Sequence, residues 1–275
     1  MIFSKRRPLS GAILLAVALT QTAPACAESS FVTFRLPHVP NYVGFGAGAY
    51  PQYVGSSDIA YGAVPFARVS WGDHRYLEID GNYADLNLLD DPNWRFGPAG
   101  LLRLGRRHAD NDAVDALPDI DPALELGLFA GYQFAASSDP RDRWWLGADV
   151  TQDVTSAHGG YVASVSVHRW LPVRRYAALG LSLGADYGSS DYENTFFSIT
   201  PEASRDSGLP VYEAAAGLRD LEATVVFVQP LSERWVAGLG VQYTRLLGDS
   251  ADSPIVTDGG SANQFVYGFG LARIF

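Results

Sequence analysis

Two-residue alternation, sustained over ten residues and more and repeated along the chain, governs which folds this sequence can reach. Over 175–188 one parity carries Ala177, Leu179, Leu181, Leu183, Ala185 and Tyr187, and the other carries Gly180, Ser182, Gly184 and Asp186. Over 123–134, Leu124, Leu126, Leu128, Ala130, Tyr132 and Phe134 oppose Glu125, Gly127, Gly131 and Gln133. Successive side chains of a strand point to opposite faces, so each segment reads as a strand with one bulky apolar face and one small or polar face. The 28 Gly, 14 Phe and 14 Tyr, with a single Met, suit such a chain better than a helical one. Alternation by itself leaves open a soluble sandwich, with the apolar face packed inside, and a membrane barrel, with that face on lipid.

Segment length and loop asymmetry separate the two. A tilted strand needs about 9 to 11 residues to cross the hydrocarbon layer. The segments 94–106, 144–154, 161–170, 221–230, 234–246 and 264–275 meet that length. Between strands, the brief connections 136–141, 171–174 and 230–233 alternate with the longer ones 107–120, 189–216 and 247–262. Short periplasmic turns and long outer loops produce that pattern, and placing the chain terminus in the periplasm puts all three long connections outside. Residues 75–89 read as two short strands around Asp80-Gly81-Asn82, because single-chain barrels have even strand numbers. The expectation is an all-β fold: a transmembrane antiparallel up-and-down β-barrel of about 12 strands, with 10 to 14 open, over residues 41–275. Trp71, Trp94, Trp144, Trp145, Trp170 and Trp235 lie at or near proposed strand ends and are candidates for the aromatic girdle. The last segment sets Phe265, Tyr267, Phe269, Leu271 and Phe275 on one parity, like a C-terminal insertion signal, although Arg273 stands where an apolar residue is usual.

The N-terminus carries a different message. Lys5, Arg6 and Arg7 precede an apolar stretch over 11–19 and then Ala25-Cys26-Ala27, the order of a secretory signal cleaved after Ala27. Residues 1–27 are thus expected to be a signal peptide, and 28–40 an N-terminal periplasmic segment ahead of the barrel. A lipoprotein reading of Cys26 is disfavoured because Ala23 occupies the position of a large aliphatic residue. Removing the signal removes the one cysteine, so no disulfide supports the mature chain. Beyond the signal there is no run of about 18 apolar residues, which excludes a bundle of membrane helices. The net charge of −10 argues against nucleic acid as a partner, since phosphate binding needs clustered Lys and Arg.

Several constellations invite chemistry. Asp153, Ser156 and His158 offer the residue types of a hydrolytic triad, but so close together on one chain they rarely align, and no Gly-x-Ser-x-Gly elbow is present. His158 with Gly159-Gly160 therefore reads as a tight outer turn. Asp110, Asp112, Asp115, Asp119 and Asp121 lack the Gly and closing Glu of a calcium loop, and read as a solvated, mutually repelling outer loop. Asp249, Asp252 and Asp258 around Pro254 read the same way. Arg95, Arg103, Glu125, Asp149, Asp186 and Glu222 fall on the small-residue parity and are candidate lumen-lining charges. They are expected to pair or to be wetted, as an ion-pair lattice filling a narrow barrel or as the lining of a solute path. Neither catalytic, cofactor-binding nor metal-binding residues are assigned.

In order along the chain, Pro51-Gln52-Tyr53-Val54-Gly55-Ser56-Ser57-Asp58, Asn87-Leu88-Leu89, Glu125 within Ala123-Leu124-Glu125-Leu126-Gly127, and His158-Gly159-Gly160 resemble segments of the MipA/OmpV family of Gram-negative outer-membrane proteins. Further on, Gly208 and Pro210 in Ser207-Gly208-Leu209-Pro210, Trp235 in Leu231-Ser232-Glu233-Arg234-Trp235, Leu247 and Asp249 in Arg245-Leu246-Leu247-Gly248-Asp249, and Ser253-Pro254 continue the resemblance, which for the connection around Pro254 implies a fixed shape, folded inward. It implies an outer-membrane location and, from the best-known relative, a scaffold linking murein hydrolase and synthase. Other relatives are described as adhesins, porin-like or antibiotic-responsive proteins, and no catalytic residues come with the family. The leading expectation is a non-enzymatic barrel whose partners are outer-membrane lipid and murein hydrolase and synthase complexes. A porin-like channel for small solutes is the alternative, and a hydrolase using Ser156 and His158 stands third.

Overall fold

The structure, a computed structural model, describes residues 41–275. The signal peptide read over 1–27 and the segment 28–40 lie outside the described residues. Twelve strands follow one another: β1 (Tyr42–Pro51), β2 (Ile59–Trp71), β3 (Arg75–Asp80), β4 (Tyr83–Asn87), β5 (Trp94–Arg103), β6 (Ala123–Ala135), β7 (Arg143–Asp153), β8 (Tyr161–Pro172), β9 (Ala178–Gly188), β10 (Gly217–Pro230), β11 (Trp235–Leu246) and β12 (Asn263–Ile274). Each pairs antiparallel with its neighbour, and β1 pairs with β12 from Tyr42↔Ile274 to Ala49↔Tyr267, closing the barrel. Closure leaves no sheet edge unpaired, which is what lets strands reside in lipid. Both chain ends of the barrel lie at one rim, here the terminal end; the long connections lie at the other, the loop end.

The parity read from sequence is the parity of the wall. Phe265, Tyr267, Phe269 and Leu271 on β12, Leu181 and Leu183 on β9, and Leu124, Leu126 and Leu128 on β6 all face outward and are exposed. Among the described residues no second sheet covers this apolar band, so the barrel wall is not half of a soluble sandwich and the face meets lipid. Alternation also corrects the girdle. Trp144 and Trp145 are consecutive on β7 and must face opposite sides; Trp145 turns inward against Gly131 and packs with Tyr83, Leu101 and Phe129. Trp170 is inward and buried too. Trp71, Trp94 and Trp235 stay exposed at strand ends.

The wall is lowest at β3 and β4, of 6 and 5 residues. The β4–β5 ladder has only three paired positions, Tyr83↔Leu101 to Asp85↔Ala99. Asn87, fully buried, reinforces this seam: its amide donates to His74 O and Leu89 O, and its carbonyl accepts from Phe96 N (3.0 Å).

The long connections, read from sequence as loops, contain five short helices: α1 (Asp112–Asp115), α2 (Ser190–Phe197), α3 (Pro201–Ser207), α4 (Gly248–Asp252) and α5 (Pro254–Thr257). Side-chain caps start three of them. Asn111 accepts from Ala113 and Val114, Thr200 from Ala203 with Pro201 following, and Ser253 from Ile255 with Pro254 following. None of the helices in the described residues is long and apolar enough to cross a membrane.

Candidate functional site

Four connections converge at the loop end to form a cap. One cluster joins Ile120, Val162, Tyr192, Phe196, Phe197, Ala214, Leu246 and Val256; another joins Tyr53, Val114, Leu117, Ile199, Ala203, Leu209 and Ile255. Tyr192, Phe197, Ile199, Leu246 and Ile255 are entirely buried, so the cap has a packed interior like a small domain. Polar bonds fix it. Tyr53 donates its hydroxyl to Gly259 O (3.2 Å), Ser253 to Phe197 O (2.7 Å), and Ile199 and Tyr212 exchange backbone hydrogen bonds. Gly55 at φ +92 lies where a Cβ would come within 2.6 Å of Val256, so only glycine permits that approach. Gly208 at φ +76 ends α3 in the same left-handed region.

The aspartates of the 107–120 connection remain exposed, while Val114, Leu117 and Ile120 between them are buried in the cap. The segment is therefore a folded element with an acidic outer surface and not a free, self-repelling loop. Asp249 is likewise held, its carboxylate accepting from Ala215 N (2.8 Å) and its carbonyl from the Tyr212 hydroxyl (2.8 Å).

Beneath the cap lies a lattice of inward charges. Glu125, wholly buried, accepts from Arg103, from the Thr151 hydroxyl (2.6 Å) and from His158 Nε2 (2.9 Å). His158 Nδ1 accepts from Gly160 N (3.1 Å), which leaves the ring proton on Nε2 facing Glu125. His158 lies in the outer turn expected there, and its ring is a buried strut packed on Tyr192 and Phe196. The turn itself belongs to Ser156 (φ 63) and Gly159 (φ 68). Asp153 accepts from the backbone of Thr155, His158 and Gly159, and Ser156 is exposed. With both ring nitrogens of His158 occupied, Asp153, Ser156 and His158 do not assemble as a triad.

A second group centres on Arg219, absent from the residues picked out by sequence. Its guanidinium bridges Asp186 (2.5 Å) and Asp220 (2.5 Å) and donates to the Tyr192 hydroxyl (2.8 Å), tying lattice to cap. Carboxylate oxygens of Asp186, Asp220 and Glu222 lie within 4.8 Å of one another, the one cluster of metal-ligand type among the described residues. Arg219 already supplies a cation to two of the three. Arg95 is buried but turns to the carbonyls of Asp91, Pro92 and Trp94 at the terminal end, and Asp149 lines a polar cavity with Arg103, His168, Asp186 and Glu222. A third pair, missed by sequence, joins Glu78 to Arg68 and to the Tyr42 hydroxyl (2.8 Å). Arg68 and Glu78 sit on inward parity, so the alternation rule could have found them; Arg219 falls off the inward parity of Asp220 and Glu222 and is buried only through the register shift between Leu218 and Asp220, which alternation does not foresee.

Residues that carry the sequence resemblance meet in this cap and its supports: Tyr53, Gly55, Glu125, His158, Gly208, Asp249, Ser253 and Pro254. Asp58, with its backbone N–H on the Ser56 hydroxyl, closes the adjoining β1–β2 connection, while Leu247 precedes α4 and Pro210 follows α3. The model of the family described as MltA-interacting protein MipA matches residues 43–275. The chain belongs to this family. Among curated proteins, this MipA-family chain is 27% identical over 241 residues to Outer membrane protein OmpV of Vibrio cholerae, covering 84% of each. Among solved structures, the NanC porin covers 85% of this chain and is itself covered entirely, with a TM-score of 0.51 and 9% identity, a likeness of fold. The MipA-family chain is an outer-membrane β-barrel, and no enzymatic family is indicated.

Proposed function

We propose that this barrel is a non-conducting adaptor, anchored in the outer membrane and presenting its terminal end to the machinery that cuts and builds murein. The carrying observation is the packed cap, which fills the loop end with buried aromatic and aliphatic side chains; on this reading the opposite rim is the working face. There the adjacent connections 173–177 and 231–234 expose Val173, Tyr176 and Leu231 beside Arg174, Arg175 and Arg234. Aromatic and arginine side chains with nearby aliphatic surface are the composition of protein-binding centres. The family's description as MltA-interacting protein supports a partner of the MltA kind, which on this reading is a murein-processing enzyme.

A photo-crosslinking amino acid at Tyr176 or Leu231 is expected to capture such an enzyme in intact cells, and the same residue at outward Leu183 is not. Capture of no murein hydrolase or synthase from either turn sinks the adaptor reading. In planar bilayers the protein is expected to show no steady conductance, and excision of residues 190–214 to open one. Steady ion flow through the intact protein would favour the channel reading instead.

A further inference from the structure

The lumen has two unlike walls. Across β3 to β10 it is charged and hydroxylated, whereas along β1, β2, β10, β11 and β12 the inward parity is mostly apolar. Phe66, Val226, Val228, Val236, Gly238 and Gly240 line a cavity of about 190 Å³ there, with Tyr42, Asp80, Thr224 and Gln242 as its polar lining. Along β11 it runs from Val236 to Gln242, six residues or about 20 Å at the rise of a strand. Gly238 is not demanded by packing: a Cβ there would meet Phe227 O at 3.6 Å and Val228 at 3.9 Å, ordinary contacts. Its missing side chain widens the trough without relieving any clash. Pockets of this kind, concave and mostly apolar with a few placed polar groups, are where small molecules bind.

The polar end identifies the ligand class. Gln242 is 3% exposed and lines the trough; its amide donates to Glu222 Oε1 (2.8 Å), and its carbonyl oxygen has no hydrogen-bond partner. Behind it lie the three carboxylates of Asp186, Asp220 and Glu222. Arg219 answers Asp186 and Asp220, whereas Glu222 makes no salt bridge among the described residues. A buried acceptor without a donor and a carboxylate without a salt bridge of its own both disfavour the empty state. An anion would add a further negative charge, and a neutral apolar molecule would satisfy neither group.

We propose that the lumen binds one hydrophobic amine, its ammonium group donating to Gln242 Oε1 and Glu222 and its apolar body lying along the Val226–Val236–Gly238 trough. The ligand enters from the terminal end, since the cap seals the other. This site is independent of the adaptor role.

Calorimetric titration of the full barrel in zwitterionic nanodiscs tests it, using octylammonium chloride, octanol and sodium octanoate, with empty nanodiscs as reference. Octylammonium is expected to saturate one site at least tenfold more tightly than octanol, and octanoate to give no saturable heat. Glu222→Gln should weaken octylammonium about tenfold and leave octanol unchanged, and Gly238→Leu should abolish both. Equal affinities for octanol and octylammonium, no saturable heat with octylammonium, or unaltered octylammonium binding in either folded variant overturns the proposal. If Glu222→Gln does not fold, shown by loss of its heat-dependent gel shift, the three-ligand series on the unaltered protein decides alone.

Discussion

At the scale of single residues, the cap shows how a few polar atoms hold an apolar cluster in place. Ser253 is fully buried, starts α5 and gives its hydroxyl to Phe197 O, so Ser253→Ala strands a carbonyl and removes a cap. A loss of about 1–3 kcal/mol is expected, seen as faster hydrogen exchange of α2 and α5 with the strand amides unchanged. Glu193 works against the cap. Burial raises its carboxyl above the ordinary value of 4.5 and Asp249 adds to that, while the Ser250 hydroxyl and Arg219 pull it down. A raised acid binds its proton more tightly when folded, so the carboxylate costs stability above its folded pKa and the cost disappears as pH falls below 4.5. Glu193→Gln is therefore expected to strengthen exchange protection of α2 at pH 7, with no gain over the unaltered protein at pH 4. A gain that grows on acidification would contradict this sign.

At the scale of elements, the strands and the cap have separable stabilities. Strands are held by continuous ladders around the barrel, whereas α1 to α5 are too short to persist without tertiary packing. Phe197→Ala, in the centre of the first cluster, should cost the cap about 3–5 kcal/mol while the barrel keeps its gel shift on heating. If that variant loses the gel shift, cap and wall form one cooperative unit. The short β3–β4 wall is the place where the barrel itself is weakest. Asn87→Ala removes the side-chain bonds that brace three paired β4–β5 positions, and is expected to lower the temperature of the gel-shift transition by several degrees, whereas Asn93→Ala, nearer the rim, should lower it less. Sequence foresaw the split of residues 75–89 into two strands because the Asp80-Gly81-Asn82 turn and even strand parity agreed. It did not foresee the helices, although Thr200-Pro201 and Ser253-Pro254 carry the N-cap and first-turn residues that announce them.

At the scale of the whole molecule, the formal charge of −10 is unevenly placed. The five aspartates of the 107–121 region, with Asp249, Asp252 and Asp258, gather on the cap, while Arg174, Arg175 and Arg234 mark the opposite rim. Alternation, strand length, loop asymmetry and parity were enough to anticipate from sequence a membrane barrel of about twelve strands, with the count itself left between 10 and 14, because each is a local rule that one strand obeys whatever its neighbours do. The same rule put Arg103, Glu125, Asp186 and Glu222 on one parity. Which charge meets which was decided only by tertiary structure, since Arg219 reaches Asp186 on the neighbouring strand through a register shift and Glu125 gathers Arg103, Thr151 and His158 from three separate segments. The fate of the long connections was decided there too. Their apolar residues have no regular period, and it is only by meeting at one rim that Tyr53, Val114, Phe197 and Ile255 find enough surface to bury.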